Sequence, residues 1–74
     1  MRHRYSDAAY WLEDVFNAKA AKTGGVVRRA CGWVEREIGR DLFLASARER
    51  GFHVIEGGGQ FIVICTKAPI RVLF

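Results

Sequence analysis

Two β-rich runs, Phe52–Glu56 and Gln60–Thr66, flank three consecutive glycines, and a third run, Ile70–Phe74, follows after Lys67, Ala68 and Pro69. No other stretch restricts the fold so strongly. Gly57, Gly58 and Gly59 supply the positive φ values of a tight reversal. A phosphate-cradling glycine loop leads from a strand into a helix, whereas here a strand follows, so the glycines read as a turn. With the loops "GGG" and "KAP", the three runs predict an antiparallel β-meander.

Side-chain alternation gives this meander a register. Pairing Glu56 with Gln60 places Val54 opposite Ile62 and Phe52 opposite Ile64. Pairing Thr66 with Ile70 places Val72 opposite Ile64 and Phe74 opposite Ile62. One face then carries Phe52, Val54, Ile62, Ile64, Val72 and Phe74, which helices should cover. The other carries His53, Ile55, Phe61, Val63, Cys65, Arg71 and Leu73, and is too apolar to face water without a covering element or a partner.

Three helices precede the strands. Ser6 is placed to cap the first, and Tyr5 with Tyr10 has the spacing of a hydrophobic staple. Ala8, Trp11, Leu12, Val15 and Ala18 recur on one face, and Thr23–Gly24–Gly25 ends the helix. A second helix is expected from about Val26 to Ile38, with Val27, Ala30, Cys31, Val34 and Ile38 on its apolar side and Gly32 as a weak point. The third, short, is capped by Asp41 and stopped by Gly51, with Phe52 folding back onto its end. The sequence thus predicts an α+β domain, three helices packed on a three-stranded antiparallel meander in the order α-α-α-β-β-β.

At 74 residues the chain has room for one domain, residues 1–74, and a chain this short often covers its surface by dimerising. Its net charge is +4, from twelve Lys and Arg against eight acids, which favours an anionic partner or an acidic protein surface. The N-terminal "MRHRYSDAAYWLEDVF" lacks the apolar core of a signal peptide, and no run nears the ~20 apolar residues that span a bilayer. Two cysteines outside any CxxC pair fit a reducing setting, so a cytoplasmic protein is expected.

Residues of chemical interest are few. On the meander register His53 and Cys65 share a face, the arrangement of a histidine-activated thiolate, but no third residue orients the imidazole. His3, Cys31, His53 and Cys65 lack the paired spacing of zinc ligands, so neither metal nor cofactor is expected. The chain reads as a non-enzymatic binding protein. The expected second helix would align Arg29, Trp33, Arg36 and Arg40, with Arg28 beside them, as a partner-binding stripe rich in the residue types that interfaces favour. Ile55, Phe61, Val63, Cys65 and Leu73 form the expected dimer interface, with a disulfide through Cys65 on oxidation while the second helix buries Cys31.

Two function classes follow. Three helices followed by a hairpin is the order of a winged helix–turn–helix, with the third helix as reader and the glycines as wing. Against it, "LFLASARER" offers mainly Leu, Phe and Ala, and the wing tip carries no Lys or Arg to hold a phosphate. The other class is a protein-binding inhibitor. In size, in its layout of three helices around three strands, and in the strand cysteine of "FIVICTKAPIRVLF", the chain resembles the small anti-CRISPR proteins of phages and mobile elements. That resemblance implies binding to a type I CRISPR surveillance complex (Cascade) in a host cytoplasm, blocking target DNA without catalysis. Its basic charge departs from simple DNA mimicry.

Overall fold

The computed structural model describes residues 4–74, with side chains from Asp7 onward. The elements run α1 (Arg4–Phe16), α2 (Lys19–Lys22), β1 (Val26–Ala30), α3 (Cys31–Glu37), α4 (Arg40–Glu49), β2 (His53–Gly57) and β3 (Gln60–Ile64). The α+β class and the three-stranded antiparallel sheet stand, but the sheet order is β1-β3-β2. The third strand is therefore Val26–Ala30, not Ile70–Phe74, and the order α-α-α-β-β-β gives way to α-α-β-α-α-β-β.

The hairpin turn is the most local feature and sets much of the rest. Gly58 and Gly59 lie at φ +60° and +75°, the paired positive values of a two-residue type I′ turn. Gly57 belongs to β2 and pairs with Gln60, so Val54 faces Val63 and Ile55 faces Ile62. The expected three-residue loop was one residue too long. Because side chains alternate, this single step moves Phe61 and Val63 to the core face and Ile62 and Ile64 to the outer face.

β1 joins β3 along its whole length, with Val27 opposite Val63 and Arg29 opposite Phe61. Backbone bonds close the ladder at both ends: Cys65 N–H donates to Gly25 C=O at 2.9 Å and Cys31 N–H to Gly59 C=O at 2.8 Å. These bonded pairs fall at odd positions just outside β3, and the alternation of an antiparallel ladder extends them to Val27–Val63 and Arg29–Phe61 within it. The turn-closing Gly57–Gln60 pair likewise makes His53–Ile64 and Ile55–Ile62 the bonded pairs of the hairpin.

The core lies between the inner sheet face and the helices. Phe43, Phe61, Val15, Val34 and Val63 are fully buried, with Phe16, Ala21, Val27, Ile38, Ala47 and Cys65 around them. Phe16 stacks on Phe43 at 5.7 Å, and Phe43 packs on Phe61 at 5.2 Å. Trp11, Leu12 and Ala18 border this core as the apolar face of the first helix requires. That helix breaks at Asn17 and Ala18, where Ala18 turns to ψ 149° before α2 begins. The expected Ser6 cap and Tyr5–Tyr10 staple rest on side chains outside the described residues, as does His3; the helix itself begins at Arg4.

The end of α4 follows its sequence signals closely. Gly51 N–H donates to Arg48 C=O at 2.9 Å and Phe52 N–H to Ala47 C=O at 3.0 Å, the two bonds of a Schellman motif. Phe52 then folds back toward the core, 6.1 Å from Phe16. At the other end, Gly39 at φ +102° both ends α3 and caps α4, its C=O accepting from Phe43 N–H. Asp41 therefore lies in the first turn, not at the cap.

Candidate functional site

The structure takes the expected arginine–tryptophan stripe apart. Arg28 and Arg29 are strand residues, Trp33 and Arg36 are on α3, and Arg40 opens α4. Helical spacing cannot align them across a strand and two helices. Arg28 points outward from the sheet with Val26, whereas Arg29 lies on the inner side at the sheet margin, beside a cleft lined by Tyr10, Glu13, Asp14, Asn17 and Ala18. Trp33 packs edge-on against Trp11 at 5.2 Å and is half-buried. Arg36 pairs with neighbouring Glu37 at 3.2 Å.

Arg40 has the most contacts of the set, all of them internal. Its guanidinium donates to Glu56 Oε1 at 2.6 Å and to Glu35 Oε2 at 3.3 Å, and lies 5.2 Å from the Phe61 ring centroid. Cys31 Sγ donates to Glu56 Oε2 at 3.7 Å. Four residues from α3, α4 and β2 thus form one polar latch that ties the two helices to the hairpin. The hydrogen bond from Arg40 holds the Glu56 carboxyl below its usual range. Desolvation, and then the negative charge of Glu56, push the Cys31 thiol upward.

The expected dimer interface is also redistributed. Phe61, Val63 and Cys65 face the core, with Cys65 only 4 % exposed and its thiol directed at Val63 C=O. Burial raises the Cys65 pKa, and the thiol has no route to a second copy in the folded chain. Ile55 lies on the opposite face, and Leu73 lies beyond the sheet in the segment after β3. Cys31, expected to be buried, is the more accessible thiol. His53 points outward, its Nε2 2.8 Å from Ala68 C=O, so the His53–Cys65 pair is not brought together.

What the fold does assemble is a pair of consecutive helices, α3 and α4, beside a three-stranded sheet. α3 is seven residues, α4 is ten, and Ile38 and Gly39 turn the chain between them. Phe43 and Ala47 fasten α4 to the core, which leaves Asp41, Leu42, Ala45, Arg48 and Glu49 facing outward. Leu42 is 46 % exposed and shares a helical stripe with Ala45 and Glu49. The turn residues and the apolar spacing of α4 were visible in the sequence. Its role as the outward helix required knowing that β1 precedes α3.

Charge decides what this face can hold. On α4 itself Arg40 and Arg48 stand against Asp41 and Glu49, and Arg40 holds Glu35 and Glu56 from neighbouring elements. Arg36 and Arg40 are already in ion pairs. The hairpin tip offers Glu56, three glycines and Gln60. The basic excess lies elsewhere, including Lys19 and Lys22 on α2, Arg28 and Arg29 on β1, and Lys67 and Arg71 after β3. Among the described residues, no helix is long and apolar enough to cross a membrane. Set against protein families, curated proteins and solved structures, the chain matches none of them.

Proposed function

We infer that this chain is a non-enzymatic binding protein whose outward helix, α4, docks on a protein surface of mixed charge. One observation carries this reading: α4 presents an apolar stripe, Leu42 and Ala45, bordered by charges of both signs, Asp41, Arg48 and Glu49. A rigid helix offering an exposed leucine within a polar rim has the composition of a protein-binding patch. Duplex DNA asks for something else. Its affinity comes largely from neutralised phosphates, and this face carries more carboxylates than arginines.

A winged helix–turn–helix reader of DNA is the second reading, favoured by the topology itself. A strand between α1 and α3, a glycine-bearing turn and a hairpin after α4 are its expected parts. The fold alone does not carry the function, since reading bases requires polar side chains on the outward helix and cations on the wing.

The resemblance to anti-CRISPR proteins seen in the sequence, whose order of three helices before three strands the fold does not keep, offers one target to try: a type I CRISPR surveillance complex, whose block of target DNA would need no catalysis. The experiment is a pull-down with the intact chain, with and without nuclease, followed by Leu42→Asp. Retention of a protein partner after nuclease, and its loss with Leu42→Asp at unchanged melting temperature, is the expected result. Disappearance of every partner on nuclease treatment would transfer the function to nucleic acid.

A further inference from the structure

The segment after β3 and one edge of the sheet each lack what the other has. Ile70, Arg71, Val72, Leu73 and Phe74 form a β-prone run outside the sheet, and Val72, Leu73 and Phe74 are 77 %, 75 % and 115 % exposed. Three consecutive large apolar side chains in water are a patch, not scattered surface residues. Within the chain, β3 already pairs on both sides, so no place beside it remains for the run.

The order β1-β3-β2 leaves two open edges, and the one that the segment lies beside is the outer edge of β2. His53, Ile55 and Gly57 spend their backbone groups on β3, so those of Val54 and Glu56 point away from the sheet. Beside them runs a groove of about 710 Å³ between β2 and α4, lined by Leu44, Ala45, Arg48, Phe52, Val54 and Ile70. An unprotected strand edge with an apolar floor is a template for a further strand.

We propose that Ile70–Phe74 of one copy adds as a fourth strand to the β2 edge of a second copy, and that the exchange is reciprocal. Three features select a second copy as the occupant. Ile70 lies at the rim of the groove, so each segment leaves its own body beside the site that receives its counterpart. Five extended residues reach about 17 Å, the length of the five-residue β2. Alternation puts Ile70, Val72 and Phe74 on one side, toward Leu44, Phe52 and Val54, and leaves Arg71 and Leu73 on the other. Two-fold exchange uses the same contact twice, which brings the buried surface toward the ~1,000 Å² of a specific interface.

Sedimentation velocity of the full chain over a concentration series tests this. Wild type is expected to dimerise without any disulfide, unchanged by reductant. Val72→Asp in the segment and Ala45→Arg at the groove are both exposed substitutions that keep the fold, verified by circular dichroism. Each should weaken dimerisation about tenfold or more, as for a central interface residue. Mixing the two variants restores one intact segment and one intact groove, so a heterodimer should appear that neither forms alone. A wild-type monomer at all concentrations would overturn the proposal, whether its segment stays free, folds into its own groove or awaits another protein. So would variants that dimerise as tightly as wild type, or a mixture that stays monomeric.

Discussion

Two five-residue segments, Val26–Ala30 and Ile70–Phe74, competed for one place beside β3, and the one that reads less like a strand occupies it. IRVLF is β-branched and aromatic, whereas VVRRA leads straight into a helical sequence. The difference is in what surrounds them. VVRRA is anchored at both ends by backbone bonds, Cys65 N–H to Gly25 C=O and Cys31 N–H to Gly59 C=O. It also delivers Val27 into the core. IRVLF follows Pro69, which restricts Ala68 to extended conformations. Ala68 is held by Thr66 Oγ1 at its N–H and faces His53 at its C=O.

The sharpest way to break this comparison is a pair of identical substitutions. Phe61, 1 % exposed, packs among Phe43, Val63 and Arg40, while Phe74 is fully exposed. Phe61→Ala should cost about 3–5 kcal/mol in urea unfolding. Phe74→Ala should stay within about 0.5 kcal/mol for the dilute chain. Comparable losses at both sites would place Ile70–Phe74 in the sheet after all.

Backbone conformation separates two glycines in the same region. Gly39→Ala forces a side chain into φ +102° and should destabilise by about 1–3 kcal/mol. Gly32 lies in α3 with open space where a Cβ would stand, so it serves no close approach. Gly32→Ala should stabilise by about 0.5–1 kcal/mol, read in the same melts. A loss at Gly32 would mean that another element packs there.

What was legible in the sequence was what neighbours in the chain decide. The Schellman end at Gly51 and Phe52, the apolar face of α1 and the glycine reversal all rest on residues within a few positions of one another. β1 was not legible because Val27, Ala30, Cys31, Val34 and Ile38 keep a helical period through the boundary at Cys31. Short apolar runs of this kind fit either structure, and here the partner that decides lies about thirty-five residues away, at Val63. The site suffered from the same gap. With Val26–Ala30 in a strand, the arginine stripe dissolved; with the turn one residue shorter, Cys65 turned inward.

Smaller effects concern the latch and the two thiols. Cys31 should react with a thiol reagent well before Cys65, which becomes available only on unfolding; labelling read by mass spectrometry checks the order. Because Arg40 lowers the folded-state pKa of Glu56, the latch contributes stability above the unfolded carboxylate range near ~4.3, and loses it as the pH falls through the folded value. Glu56→Gln should remove that acid-side loss and let Cys31 ionise at lower pH, seen as faster alkylation. An unchanged alkylation profile would mean that Cys31 does not sense Glu56.

The central claim is that Val26–Ala30, not Ile70–Phe74, is the strand beside β3. Cross-strand proton contacts measured by NMR on the isotope-labelled chain test it most directly. In the non-bonded pairs Arg28–Ile62 and Val26–Ile64 the α-protons lie close together, so both contacts should be strong, with the Val27 and Arg29 amides protected from exchange. Helical contacts running through Val26–Ala30, together with α-proton contacts between Val72 and Ile64, would contradict it.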